Sequence, residues 1–466
     1  RQRQMCIRDR YMAEPLLKAV KDGEIEESLV DEKVRNILRM MLRLKMIGPE
    51  KKHRKTGAYN TEEHRRAVLD VARESMILLK NEDQVLPLQA ESGCKVAVIG
   101  ANAAAIHSNG GGSAEIKALY EISPLMGIKK LLGGNVKVSY APGYVIPDKK
   151  EASEINWQAA STETAEDTEK ESTVSGRTLD EKQQEALAEA VALAKASDIV
   201  IFVGGLNHDF DVEGPDRVNM KLPYGQDEVI DALLKAVPDT VVCMYAGAPV
   251  EMPWAEKAKA ILWSYYAGME GGTALAEILS GKVNPSGKLA ETFIRDASQC
   301  PAHTIGTFGK KDRVEYREGV MVGYRYYDTK KTDVLFPFGH GLSYTAFTYN
   351  DLEIIRQQEN GRQTVKVSCS VTNTGEHAGK ETVQIYVAPE QKKDRPVHEL
   401  KAFEKVRLDA GETKRICVIL EERDFSRYDT DKKMPVPVNG TYEIQVGASS
   451  TDICLCGKID LFFAEG

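Results

Sequence analysis

The sequence predicts a layered α/β domain followed by a small antiparallel β-sandwich, with a helical stretch ahead of both. Three observations carry that prediction. Short apolar runs ending in Gly alternate with helical segments through the middle of the chain. From about Tyr349 the pattern changes to strands of alternating polarity. Ahead of Gly48, an apolar stripe at helical spacing has no core of its own.

The elements follow in chain order. Residues 1–10, "RQRQMCIRDR", carry four Arg without helical or strand period and no apolar run behind them. They do not resemble a secretory signal and are read as a non-native or mistranslated end. Residues 11–55 hold a helix pair, with Val34, Ile37, Leu38, Met41 and Leu42 on one stripe, Asp31 as its N-cap and Gly48 as its stop. Residues 56–94 are expected as a linker helix, roughly Thr61 to Lys80, with Val68, Val71, Ala72, Ser75 and Leu79 on one side. The α/β domain spans 95–348. Its strands are "KVAVIG", "KVSYAPG", "DIVIFVGG", "TVVCMYAGAP" and "AILWSYYAG". The polar, Thr- and Glu-rich stretch at about 147–179 is expected as a flexible insertion. Residues 349–466 alternate in "TVKVSCSVTNTG", "ETVQIYVAP", "HELKAFEKVRL", "TKRICVIL" and "GTYEIQVGAS". That pattern predicts a sandwich of immunoglobulin or fibronectin type.

Composition narrows the partners. A chain of 466 residues with 42% apolar and 28% charged content is ordinary for two or three globular domains. A net charge of −8 argues against nucleic acid, which needs clustered Lys and Arg. No apolar run is long enough to span a membrane. The cysteines lack metal-ligand spacing: Cys454 and Cys456 share one strand face, and Cys243, Cys369 and Cys417 lie in apolar runs. They are read as buried free thiols, which leans weakly towards a reducing, cytoplasmic compartment and leaves a periplasmic one open. The chain's start carries no address.

Two stretches could carry chemistry. "GANAAAIHSNGGGSAEI" has a glycine run at 110–112, too far past its strand for a dinucleotide fingerprint and without the Lys-Ser/Thr of a P-loop. A glycine-rich loop near a substrate is the reading kept, and no cofactor is expected. "NHDFDVEGPDR", residues 207–217, places four acids within eight positions just after a buried strand. A solvated loop explains such a charge run. So does a general acid on a mobile, glycine-flanked loop. There Asp209 and Asp211 would raise the proton affinity of Glu213, and Arg217 would pair with Asp216.

Context decides between them. "PFGHGLSYTAFTY", "GYRYYD", "GKVNPSGKLAETF", "EGPDRVNMKLPYGQDEVI", "ARESMILLKNEDQVLPL" and "NGGGSA" together resemble glycoside hydrolase family 3, on its β-glucosidase side, from about Leu16 to Gly447. The resemblance implies a (β/α)8-type barrel, an α/β/α sandwich and a fibronectin type III-like domain. It also implies retaining cleavage of β-linked sugars through a covalent glycosyl-enzyme. It gives the acid/base role to Glu213, with Asp209 and Asp211 as alternatives, and turns Asn109, Gly112, Ser113, Asp216 and Arg217 towards substrate. The substrate class is a β-linked oligosaccharide or glycoside, and a homodimer stays open.

One departure matters. The family nucleophile is an Asp in a Ser-Asp-Trp-like motif on the barrel, and the only Ser-Asp here, Ser197-Asp198, is followed by Ile. The chain is therefore expected to be the back part of a retaining exo-acting β-glycosidase, most simply a β-glucosidase. It would hold the acid/base and lack the nucleophile, with residues 11–55 as the end of the barrel. The alternative is a non-catalytic carbohydrate-binding or interaction protein.

Overall fold

The computed structural model describes residues 14–53, 57–147, 179–213, 217–309, 313–359, 362–390 and 395–463. The 1–10 end and nearly all of the expected insertion lie outside them. The described residues divide into two compact units, the first holding those before Glu62 together with Pro147 and the second all the others.

The first unit is two helices, α1 (Glu14–Lys21) and α2 (Glu27–Arg43). Gly23, at φ +76°, turns the chain between them. Helix α2 starts a full turn before Asp31, which lies inside it and pairs with Arg35 at 3.2 Å. Glu27 in the first turn and Arg43 in the last both suit the helix dipole. No residue of α2 is buried, and Ile37 is 61% exposed.

The second unit begins with α3 (Glu62–Ser75) and the strand β1 (Ile77–Asn81). The stretch expected as one linker helix is thus divided at Met76. Met76, Ile77, Leu78 and Leu79 are all 0–1% exposed. Four consecutive apolar residues need both faces covered, which a strand provides and a one-stripe helix does not. Val71, expected on the buried stripe, is 69% exposed.

Strands β2 (Lys95–Ile99), β3 (Lys137–Ala141), β4 (Ile199–Gly205), β5 (Val241–Tyr245) and β6 (Ala260–Trp263) follow. The sheet order is β1-β6-β5-β4-β2-β3, all parallel except the edge pair β1–β6. Helices α4 (Pro124–Leu132), α5 (Leu179–Lys195), α6 (Gln226–Ala236) and α7 (Gly271–Leu279) cover it. Side chains alternate between the layers. Val96, Val98, Ile201 and Val203 pack with Ala72, Ile128 and Leu275 on one face. Ala97, Ile99, Val200 and Phe202 pack with Ala190, Ile230 and Leu233 on the other. Ser123 caps α4 by accepting the Met126 N–H at 3.2 Å, with Pro124 at the first helical position. Helices α4 and α7 meet backbone to backbone: a Cβ on Gly127 would lie 2.0 Å from the Gly272 carbonyl oxygen. Glu277 of α7, 3% exposed, is held by Arg73 Nε of α3 and Lys282 Nζ, each at 2.7 Å. Burial alone would raise its carboxyl; those bonds overcome burial and hold it below the usual range.

Helix α8 (Tyr324–Lys330) leads into the sandwich. One sheet has the order β10-β9-β14-β15 and the other β11-β8-β7. The strands are β7 (Phe347–Glu359), β8 (Arg362–Asn373), β9 (Gly379–Pro389), β10 (Glu399–Leu408), β11 (Thr413–Glu421), β12 (Ser426–Asp429), β13 (Met434–Pro437), β14 (Gly440–Gly447) and β15 (Ile453–Leu461), with β12 and β13 forming a separate ribbon. Val365, Val367, Ile385, Ile416, Tyr442 and Ile444 fill the space between the sheets. Cys243 and Cys369 are buried, but Cys417, Cys454 and Cys456 are exposed, which corrects the expectation that all were core. On β15 the alternation turns 454 and 456 to the outer face. The sandwich docks on α8 through His398, whose Nε2 lies 3.0 Å from Asp328 Oδ2 and whose Nδ1 lies 2.8 Å from Gln445 Oε1.

The sheet order also locates a cleft. From β2 the chain runs outward to β3, then returns to β4 on the other side of β2. The helices that follow β2 and β4, α4 and α6, therefore pack on opposite faces of the sheet, and such a switch point is where α/β sheets bind ligands.

Candidate active-site cleft

The two stretches singled out in the sequence are the loops at that switch point, and the structure packs them against each other. After β4, Asn207 Oδ1 accepts the Asp209 N–H at 2.9 Å, and Asn207 O accepts the Asp211 N–H at 2.8 Å. That turn throws 209–213 back over the sheet edge. The Gly111 N–H donates to Asp211 O at 3.0 Å, and Gly111 and Val212 form a parallel β-bridge. His208 Nε2–H donates to Asn109 O at 2.7 Å. The glycines permit this approach. A Cβ on Gly112, which has φ +74°, would lie 2.8 Å from Glu213 Cβ and 2.9 Å from its nitrogen.

The carboxylates differ in their surroundings. Asp211 Oδ2 accepts both the Gly247 N–H at 2.5 Å and the Tyr266 hydroxyl at 2.9 Å. Asp209 Oδ2 accepts the Tyr224 hydroxyl at 3.2 Å on the outer side of the turn. Glu213 is half-buried beside Gly112. Asn109 gives its amide nitrogen to Ser108 Oγ at 2.9 Å and Ile116 O at 3.3 Å, and so braces its own loop. For Ser113 only the backbone is described, in a short turn over Gly112–Ala114. Arg217 donates to Pro249 O at 3.1 Å. Asp216, and with it the expected Asp216–Arg217 pair, lies outside the described residues.

Three ring-bearing residues packed beside these loops escaped the sequence reading: His107, Tyr245 and Tyr266. The His107 ring centroid lies 6.3 Å from His208 and 6.4 Å from both tyrosines. Burial, then the charge of His208, pushes the His107 imidazole down to about 4. Burial, then the charge of Asp211, pushes the Tyr266 phenol far above its usual range. Neighbouring Tyr265 has φ +47°, a left-handed backbone in a bulky residue at the end of β6. A signal was available: Tyr245 and the 265–266 pair each stand at the carboxyl end of a strand, followed closely by Gly. Among the described residues no cluster of three or more His, Cys, Asp or Glu is placed to hold a metal ion, and no helix is long and apolar enough to cross a membrane.

The family model of the glycosyl hydrolase family 3 C-terminal domain matches residues 76–344, more than half of the chain. The chain belongs to glycoside hydrolase family 3. A fibronectin type III-like domain model matches 381–450, within the sandwich. Thermostable beta-glucosidase B of Acetivibrio thermocellus is 38% identical over 441 residues, covering 94% of this chain and 53% of that protein. Beta-glucosidase BoGH3A of Bacteroides ovatus is 37% identical over 456 residues, covering 96% and 57%. The chain thus spans about half the length of the curated relatives it matches. A family 3 beta-glucosidase from Bifidobacterium adolescentis superposes with TM-score 0.76 at 33% identity, covering 96% of this chain and 60% of that one. DesR, a beta-glucosidase from Streptomyces venezuelae solved with D-glucose, superposes with TM-score 0.82 at 26% identity, covering 97% and 66%. The family 3 match opens at Met76, one residue before β1, and contains both loops.

Proposed function

We propose that this chain supplies the general acid/base of a retaining, exo-acting β-glycosidase, best read as a β-glucosidase, acting on terminal non-reducing β-linked sugars. Glu213 is the acid/base. The nucleophile comes from outside these 466 residues, and residues 11–55 are the closing helices of the barrel that bears it. The single observation carrying this reading is the seat of the Glu213 loop. In a family 3 chain, the described part of that loop, residues 207–213, lies at the carboxyl edge of β4, docked on the glycine run that follows β2. Asp211 is the weaker candidate because one of its oxygens already accepts two hydrogen bonds.

The chemistry follows from two carboxyl groups about 5 Å apart across the glycosidic bond. Glu213 protonates the leaving oxygen while the nucleophile takes the anomeric carbon. It then removes a proton from the water that releases the sugar. The absence of a Ser-Asp-Trp motif supports the second reading, a non-catalytic carbohydrate-binding protein, for this polypeptide taken alone.

The experiment has two arms. Alone, the chain hydrolyses no aryl β-glycoside above background; activity lost on Glu213→Gln would show that the nucleophile has been misplaced. Joined to an upstream barrel, Glu213→Ala slows substrates with poor leaving groups most, and azide rescues the second step. The same signature in Asp209→Ala would move the assignment there.

A further inference from the structure

We propose that Asp211 is a positioning residue: it clamps the Glu213 loop to the ends of β5 and β6, and the glycine run after β2 is the seat against which it clamps. This rests on reading Glu213 as the acid/base, and it gives Asp211 and the glycines a different task from the catalytic and substrate-binding ones their sequence suggests.

The clamp is visible bond by bond. The Asp211 side chain reaches two strand ends at once, through the Gly247 N–H after β5 and the Tyr266 hydroxyl after β6. Its main-chain carbonyl accepts from the Gly111 N–H, in the glycine run further along the chain from β2. His208 adds a fourth tie, to Asn109 O. Glu213 is two residues beyond Asp211, so a fixed Asp211 leaves Glu213 few places to go. The loop is thereby tied to the segments that follow β2, β5 and β6.

Glycine is required on the receiving side. A Cβ at Gly111 would lie 3.2 Å from Val212 Cβ and 3.3 Å from His208 Cβ, and one at Gly112 would meet Glu213 itself. The run "NGGGSA" therefore need not touch a sugar to matter. It brings backbone close enough to bond the loop that carries the acid.

Both side-chain bonds land on the same oxygen, Oδ2. An amide oxygen can take that place, whereas a methyl cannot. Asp211→Asn therefore keeps the clamp, and Asp211→Ala releases it.

Amide hydrogen exchange of the 466-residue chain, read by mass spectrometry, tests this. Asp211→Ala should speed exchange of 207–213 by about tenfold or more, with β4 and the sandwich unchanged. Asp211→Asn should stay within about threefold of wild type, and Tyr266→Phe should fall between. The double variant Asp211→Ala/Tyr266→Phe should be no faster than Asp211→Ala, because the two residues share one bond. Gly112→Ala should loosen the same peptides from the opposite side. Carbodiimide labelling of Glu213 should rise in Asp211→Ala and return to wild type in Asp211→Asn, a rescue that loss of general stability would not show. Wild-type exchange in Asp211→Ala, or Asp211→Asn as loose as Asp211→Ala, overturns the proposal. The acid/base reading fails separately: azide rescue absent from Glu213→Ala in the barrel-joined protein, with loosening present in Asp211→Ala, removes the catalytic role and leaves the clamp.

Discussion

At the scale of single residues, His107 shows what burial does to a titratable group. Its imidazole is pushed from the ordinary 6.5 to about 4, so the folded state resists the proton that the unfolded state accepts. Between pH 6.5 and 4 the unfolded chain binds more protons, and stability falls as pH falls. Above pH 6.5 both states are neutral and this residue adds no pH dependence. The shift corresponds to about 3 kcal/mol lost over that window. His107→Phe should therefore flatten the acid side of the stability profile, read by urea unfolding at pH 7 and pH 4.5. An unchanged slope would mean that His107 takes up its proton in the folded state.

Elements show where cost and consequence part. Glu277 is buried on α7 with Arg73 and Lys282 as its neutralising partners. Removing one partner leaves a buried carboxylate half-compensated, so Arg73→Ala should cost about 3 kcal/mol, measured by urea unfolding. An Arg73→Ala/Glu277→Leu double variant should recover much of that loss, since the unpaired charge is then gone. Helix α2 is the opposite case: it buries no side chain, so its hydrogen bonds stand on local propensity and ion pairs such as Asp31–Arg35. Its amides should exchange orders of magnitude faster than those of β4, whose residues from Val200 onwards are buried. Equal protection would show that α2 finds cover in solution.

For the second unit as a whole, stability is shared across the joint between sheet and sandwich. Asp328, His398 and Gln445 form one buried chain of contacts there, and Gln384 Nε2 donates across to Gly339 O at 3.1 Å. Asp328→Ala should cost about 2–4 kcal/mol and separate one cooperative unfolding transition into two, with the sandwich and the α/β sheet melting apart in calorimetry. A single transition at lower temperature would instead mean that apolar contact alone couples them.

Much of this molecule was legible in its sequence because the signals are local. Gly-terminated apolar runs announce parallel strands that are buried on both faces. Alternation announces the sandwich strands, and "EGPDR" with "NGGGSA" points to family 3. Other features needed neighbours. Ile77–Leu79 continues a helical stripe in sequence, yet becomes a strand because β6 offers it an edge to pair with. Asp31 looks like a cap, but α2 begins before it at Glu27. Asp211 and Glu213 look alike in a run of acids, and only the approach of Gly247 and Tyr266, 36 and 55 residues downstream, gives one of them two partners on a single oxygen. His107, Tyr245 and Tyr266 are ordinary residues until the strand order gathers their rings together. The sequence by itself determined the periodicities, and with them which elements form and which family they spell. The tertiary structure alone decided which strand ends reach Asp211 and which glycine must be bare, because both depend on distances that no spacing along the chain encodes.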